Sequence, residues 1–160
     1  NQPLLLVTEQ GKEEETVTRL SRVGFDNILG HLKGGFKAWL DAGKEADVVD
    51  RITAGQFADT GEIGQDKIID VRKETEYTAE HVEEAYNRPL AYINEWVKDI
   101  NPEEHFYMHC AGGYRSMIAS SILQARGYRN FTEIEGGFKA IADTILPKTG
   151  YVCQSKVMNA

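Results

Sequence analysis

Cysteine is scarce in this chain. Two residues in 160, Cys110 and Cys153, are too few for a disulfide scaffold. Basic residues are outnumbered, 18 against 25 acidic, which gives a formal charge of -7 and a pI near 5.1. Phosphate binding needs a basic face, so no nucleic-acid partner is expected. No apolar run approaches the roughly 20 residues of a membrane helix. No charged-then-apolar opening reads as a signal peptide. The remaining class is an acidic globular chain, expected to be cytoplasmic, with room for one domain and part of a second. It opens on Asn1 and enters the apolar run 4–7 at once, as a processed start or one that has lost a short leader would do.

What is present is an internal repeat. Gly-Gly-Phe-Lys-Ala occurs at 34–38 and again at 136–140, an offset of 102. An apolar run precedes each copy, at 4–7 and at 106–109, and each has a Leu-x-x-x-Gly segment between, at 20–24 and 123–127. Two segments of about 40 residues therefore share one plan of strand, loop, helix, strand, Gly-Gly and helix. The complete unit starts near Asp47, so about 55 residues of the earlier copy would precede Asn1. A two-strand half has poor prospects alone, so it is expected to dock, to pair with another copy, or to belong to a longer protein.

Periodicity places the elements. The run 67–71 is apolar and ends in charge, as a buried parallel strand does. Tyr92, Ile93, Trp96, Val97 and Ile100 recur at helical spacing, and Pro102 stops that helix. Residues 106–110 and 131–134 read as strands, and 116–124 as a helix closed by Gly127. Phe138, Ile141, Ala142 and Ile145 form a last helix before Pro147. Alternation from about 47 to 146 predicts an α/β fold, a mainly parallel central sheet with helices on both faces. The tail 148–160 shows no period and is expected to be partly loose.

The chemistry concentrates in His109-Cys110-Ala111-Gly112-Gly113-Tyr114-Arg115-Ser116. A strand end, a small-residue loop and a helix start let the amides of residues 111–115 converge on the Cys110 thiol, and the helix adds its positive end. Both depress a thiol pKa. Gly112 and Gly113 permit positive φ and close approach of a substrate. Arg115 offers a fork of donors to an oxyanion, Ser116 is expected to cap the helix, and Tyr114 sits at the loop tip. Asp70 is expected to anchor the loop, and Arg72 beside it reads either as a surface salt-bridge partner or as a second anion contact. Three nearby histidines, His81, His105 and His109, read as structural: on a strand, His105, His109 and Cys110 do not converge on one ion, so no metal is expected.

Cys110 to Ser116 resembles the Cys-x-x-Gly-x-Arg-Ser active loop of single-domain rhodaneses. Asp70-Val71-Arg72 with Glu76, Tyr77, His81, Ala85, Asn87 and Pro89 is similar to a second signature of that family, and Glu135-Gly136-Gly137 to its closing one. Glu80 and Glu84 stand where glycines are usual, and Ile141 for a closing Trp. The resemblance implies a rhodanese-like domain over 47–147, preceded at 1–46 by the C-terminal half of a second module and followed by a tail at 148–160. In that half-module the nucleophile position falls on Val7 or Thr8, neither a thiol, and the acidic run 13–15 replaces the anion cradle, so it should be inert.

The resemblance also implies a sulfurtransferase that needs no organic cofactor. Sulfane sulfur would pass from thiosulfate or a low-molecular-weight persulfide, through a Cys110 persulfide, to a thiol, sulfite or cyanide acceptor. A degenerate module before an active one resembles fusions of a metallo-β-lactamase-fold persulfide dioxygenase with rhodanese modules, which makes such a domain the expected upstream partner. A homo-oligomer through the half-module is the other expected assembly. Two further readings stand beside this one. One is a non-catalytic binding or regulatory module. The other is a cysteine phosphatase or arsenate reductase, whose loop resembles Cys-x5-Arg and is one residue longer than the four between Cys110 and Arg115. Cys153 is read as a bystander thiol.

Overall fold

A computed structural model describes residues 2–60 and 67–152. Cys153 lies outside the described residues. The chain divides into two units at Val48 and Val49.

In the first unit, β1 (Leu4–Leu6) leads to α1 (Glu13–Ser21), then β2 (Ile28–His31) and α2 (Gly35–Asp41). β1 and β2 pair in parallel, with Leu4 opposite Ile28 and Leu6 opposite His31. Glu13, Glu14 and Glu15 occupy the first turn of α1, where the helix dipole favours acidic groups.

The second unit runs β3 (Arg51–Thr53), α3 (Ala54–Asp59), β4 (Lys67–Asp70), α4 (Glu74–Ala79), β5 (Tyr86–Asn87), α5 (Ile93–Trp96), β6 (Phe106–His109), α6 (Tyr114–Ala125), β7 (Phe131–Glu135) and α7 (Gly137–Ala142). Its five strands form one sheet in the order β3-β7-β6-β4-β5, every pair parallel. Strand alternation sends Ile69, Met108 and Phe131 to one face, where Ile93, Trp96, Ala119 and Leu123 cover them. Ile68, Tyr107 and Ile134 face the other way, under Phe57 and Ile141. With both faces covered, β6 is buried along its whole length. This is the α/β fold that the alternation predicts.

Some local expectations differ. The single helix over 92–100 is a short α-helix between two 3-10 turns, Leu90–Tyr92 and Val97–Asp99. Its β-branched and aromatic residues are weak helix formers, and the Trp96 indole donates to the Pro89 carbonyl. α3 is held by a reciprocal pair: Thr53 Oγ1 accepts from the Gln56 amide and the Gln56 side chain accepts from the Thr53 amide. The start of the tail is not loose. Thr149 N–H donates to the His81 carbonyl at 2.9 Å and Val152 N–H to that of Ala79 at 2.8 Å.

Candidate active site

β4 and β6 end side by side, Asp70 opposite His109, and the loop after β6 leaves from the carboxyl edge of the parallel sheet, where ligands of such sheets bind. The loop is fixed from outside. Phe138 N–H donates to the Cys110 carbonyl at 2.6 Å and Lys139 N–H to that of Ala111 at 3.0 Å. Gly137 makes this approach feasible: at φ +58, a Cβ there would lie 2.4 Å from the Cys110 carbonyl oxygen.

Cys110 is 1% exposed. Its Sγ accepts from the Gly113 amide at 3.2 Å and lies 3.4 Å from the Ser116 hydroxyl. Burial pushes the thiol up, while hydrogen bonds from the Ser116 side chain and from the Ser116, Gly112 and Gly113 amides pull it down. The net direction is below the ordinary thiol value, as a favoured thiolate requires. Ala111 and Gly112 complete the loop, and Tyr114 stands 80% exposed at its tip.

Gly113, at φ +98, is the residue that precedes α6, so Ser116 is not the helix cap. It sits one turn inside, fully buried, with its hydroxyl 2.6 Å from Glu133 Oε1 and 3.0 Å from the Gly113 carbonyl. Arg72 is likewise no free anion contact. It is buried against Asp70, donating from Nε and Nη2 to the carboxylate at 2.7–3.0 Å and from Nη2 to the Glu80 carbonyl, while its guanidinium lies over the Phe138 ring at 4.0 Å. The pair is internal because Asp70 also accepts from the Arg72 amide. Asp70 thus shapes the strand end beside the loop. Arg115 points its Nη1 and Nη2 at the two Glu76 oxygens, at 2.6 and 2.8 Å. That hydrogen-bonded guanidinium holds the Glu76 carboxyl below its usual range against the upward push of burial.

His109 is fully buried and packs toward Phe138 on the face away from the thiol. Burial lowers its pKa, so it is neutral at pH 7. His81 stacks on Tyr77 and His105 contacts Thr132, both structural roles. Among the described residues, no three His, Cys, Asp or Glu side chains are grouped to hold a metal ion. Two residues of the site escaped sequence reasoning as members of it. Glu76 was visible in a motif but not as the partner of Arg115. Glu133 stands two residues after Phe131 on the inward face of β7, and a charge at that position was its only signal.

Residues 53–144 match the rhodanese-like domain family, more than half the chain. The chain belongs to the rhodanese-like family. It is 37% identical over 76 residues to the thiosulfate sulfurtransferase PspE of Escherichia coli, covering 46% of this chain and 72% of that protein. It is 30% identical over 112 residues to Protein HIGH ARSENIC CONTENT 1, mitochondrial, of Arabidopsis thaliana, covering 62% of this chain and 64% of that one. The chain therefore spans just under two thirds of the Arabidopsis protein. A crystal structure of a rhodanese-like domain protein from Staphylococcus aureus is 27% identical with a TM-score of 0.55, covering 62% of this chain and 97% of that one. The name sulfurtransferase is carried by relatives such as the Escherichia coli protein. Among the described residues no helix is long and apolar enough to cross a membrane.

Proposed function

We propose that this rhodanese-like chain moves sulfane sulfur through a Cys110 persulfide. The observation that carries this reading is the buried Cys110 Sγ in its loop, with the Gly113 amide donating to it and its pKa turned downward. The thiolate attacks the outer sulfur of thiosulfate or of a low-molecular-weight persulfide. The S–S bond of the donor breaks, and sulfite or a thiol leaves with the electron pair. A thiol, sulfite or cyanide then attacks the outer sulfur of the enzyme persulfide and regenerates the thiolate. Glu76 already neutralises Arg115, so a donor of low charge suits the loop better than a doubly charged one. Intact mass after incubation with thiosulfate or glutathione persulfide tests the reading. A gain of about 32 Da, absent in Cys110→Ser, is expected; no adduct from either donor overturns it.

Residues 1–46 read as the back half of a second, inert module, with Thr8 at the nucleophile position. What supports this is a matching close approach. At the repeat offset Gly35 corresponds to Gly137, and a Cβ on Gly35 would lie 2.3 Å from the Thr8 carbonyl oxygen. A hydroxyl there cannot carry sulfane sulfur.

A further inference from the structure

Glu133 is a carboxylate at 0% exposure in β7, on the sheet face that also carries Phe131 and Met108. A carboxylate buried without partners costs several kcal/mol. Two partners hold this one. Arg51 Nε donates to Oε2 at 3.0 Å, and the Ser116 hydroxyl lies 2.6 Å from Oε1. The same hydroxyl is 3.0 Å from the Gly113 carbonyl and 3.4 Å from Cys110 Sγ. A hydroxyl carries one proton, so it cannot serve all three acceptors at once. The ionisation of Glu133 decides among them. As a carboxylate, Glu133 accepts the Ser116 proton. As an acid, it donates to Ser116 Oγ, and the Ser116 proton turns to the sulfur.

We propose that Cys110 and Glu133 share one proton through Ser116, which makes Glu133 a positioning residue for the thiolate. The S–H proton passes to Ser116 Oγ as the Ser116 proton passes to Glu133 Oε1. One S–H bond breaks, one O–H bond forms on Glu133, and Ser116 exchanges one proton for another. The buried site holds a single negative charge before and after, whereas expelling the proton to solvent would leave two anions side by side. The surrounding charges are occupied elsewhere. Arg51 from β3 bridges Glu133 and Glu135, Asp70 at the end of β4 pairs with Arg72 just after it, and Glu76 from α4 takes Arg115 from α6. His109 on β6 is neutral by burial.

The proposal rests on Cys110 being the nucleophile, but its test reads thiol ionisation and needs no sulfur transfer, so the two can fail separately. The full chain is used in a Cys153→Ser background, which leaves Cys110 as the thiol observed. Ultraviolet thiolate absorbance is followed against pH, with the rate of iodoacetamide alkylation alongside. The parent should titrate in two steps that belong to the pair. Glu133→Gln should titrate in one step, below the upper step of the parent, and alkylate several-fold faster at neutral pH. Arg51→Met, altered on a partly exposed residue, keeps the proposal testable should Glu133→Gln fail to fold. Removing the cation favours the protonated Glu133, so the thiolate fraction at neutral pH should rise. Unchanged titration in both variants, or slower alkylation, overturns the shared proton.

Discussion

At the scale of single residues, the loop is governed by how its cations are occupied. Arg115 spends two of its N–H donors on Glu76. Because the Arg115 hydrogen bonds hold the Glu76 carboxyl below its ordinary value, the pair contributes stability above the usual glutamate range and loses it as pH falls through the depressed value. Both side chains are about a third exposed, so solvent screening keeps the contribution under about 1 kcal/mol. Glu76→Gln should therefore melt a little lower than the parent at neutral pH, and the difference should shrink as pH falls below the ordinary glutamate range and vanish once it has passed the depressed value. Thermal melts across pH check the sign. The same substitution frees the Arg115 fork, so KM for thiosulfate should fall while KM for a singly charged persulfide stays put. An unchanged KM ratio would mean that Arg115 does not meet the donor.

At the scale of elements, the strand-loop-helix around Cys110 is legible in the sequence because its parts are neighbours in the chain. A strand that ends, glycines that turn and a helix that begins are all local signals. The two halves of the Ser116 environment are not local. Arg51 reaches Glu133 across 82 residues, and no spacing announces that pair. Ser116 looked like a cap because serine favours that position, yet Gly113 took the turn and left the hydroxyl inside. The segment 92–100 showed the right apolar face, but periodicity does not report that weak helix formers tighten into 3-10 turns. The Gly-Gly motif, by contrast, carried its reason in plain sight. An alanine at 137 would press on the Cys110 carbonyl and force a side chain into positive φ. Gly137→Ala should cost on the order of 2 kcal/mol and slow Cys110 alkylation, since the loop must shift. Gly35→Ala meets the Thr8 carbonyl in the same way and should leave the alkylation rate of Cys110 unaltered. The pair of variants, measured side by side, separates strain at the thiol loop from strain as such.

At the scale of the whole molecule, the two units differ in what holds them. Every buried apolar side chain among the described residues lies between Ala54 and Leu146. In residues 2–48, only Gly35 is buried, while Leu5 and Leu29 stand 77% and 66% exposed. Parallel strands gain their stability from burial on both faces, and β1 and β2 lack it. Their hydrogen bonds should open at low free energy, while those of β4 and β6 should open only with global unfolding. Native-state hydrogen exchange should therefore find the amides of Leu5, Leu6 and Gly30 weakly protected and those of Ile69, Tyr107 and Met108 the most protected. Mutation gives the same contrast. Met108→Ala opens a cavity at a fully buried site and should cost about 2–5 kcal/mol of global stability. Leu6→Ala, at a half-buried position, should leave the main transition within about 1 kcal/mol. Equal protection in the two sheets would mean that the first unit shares the cooperativity of the second, and the division of stability at Val48 would be wrong.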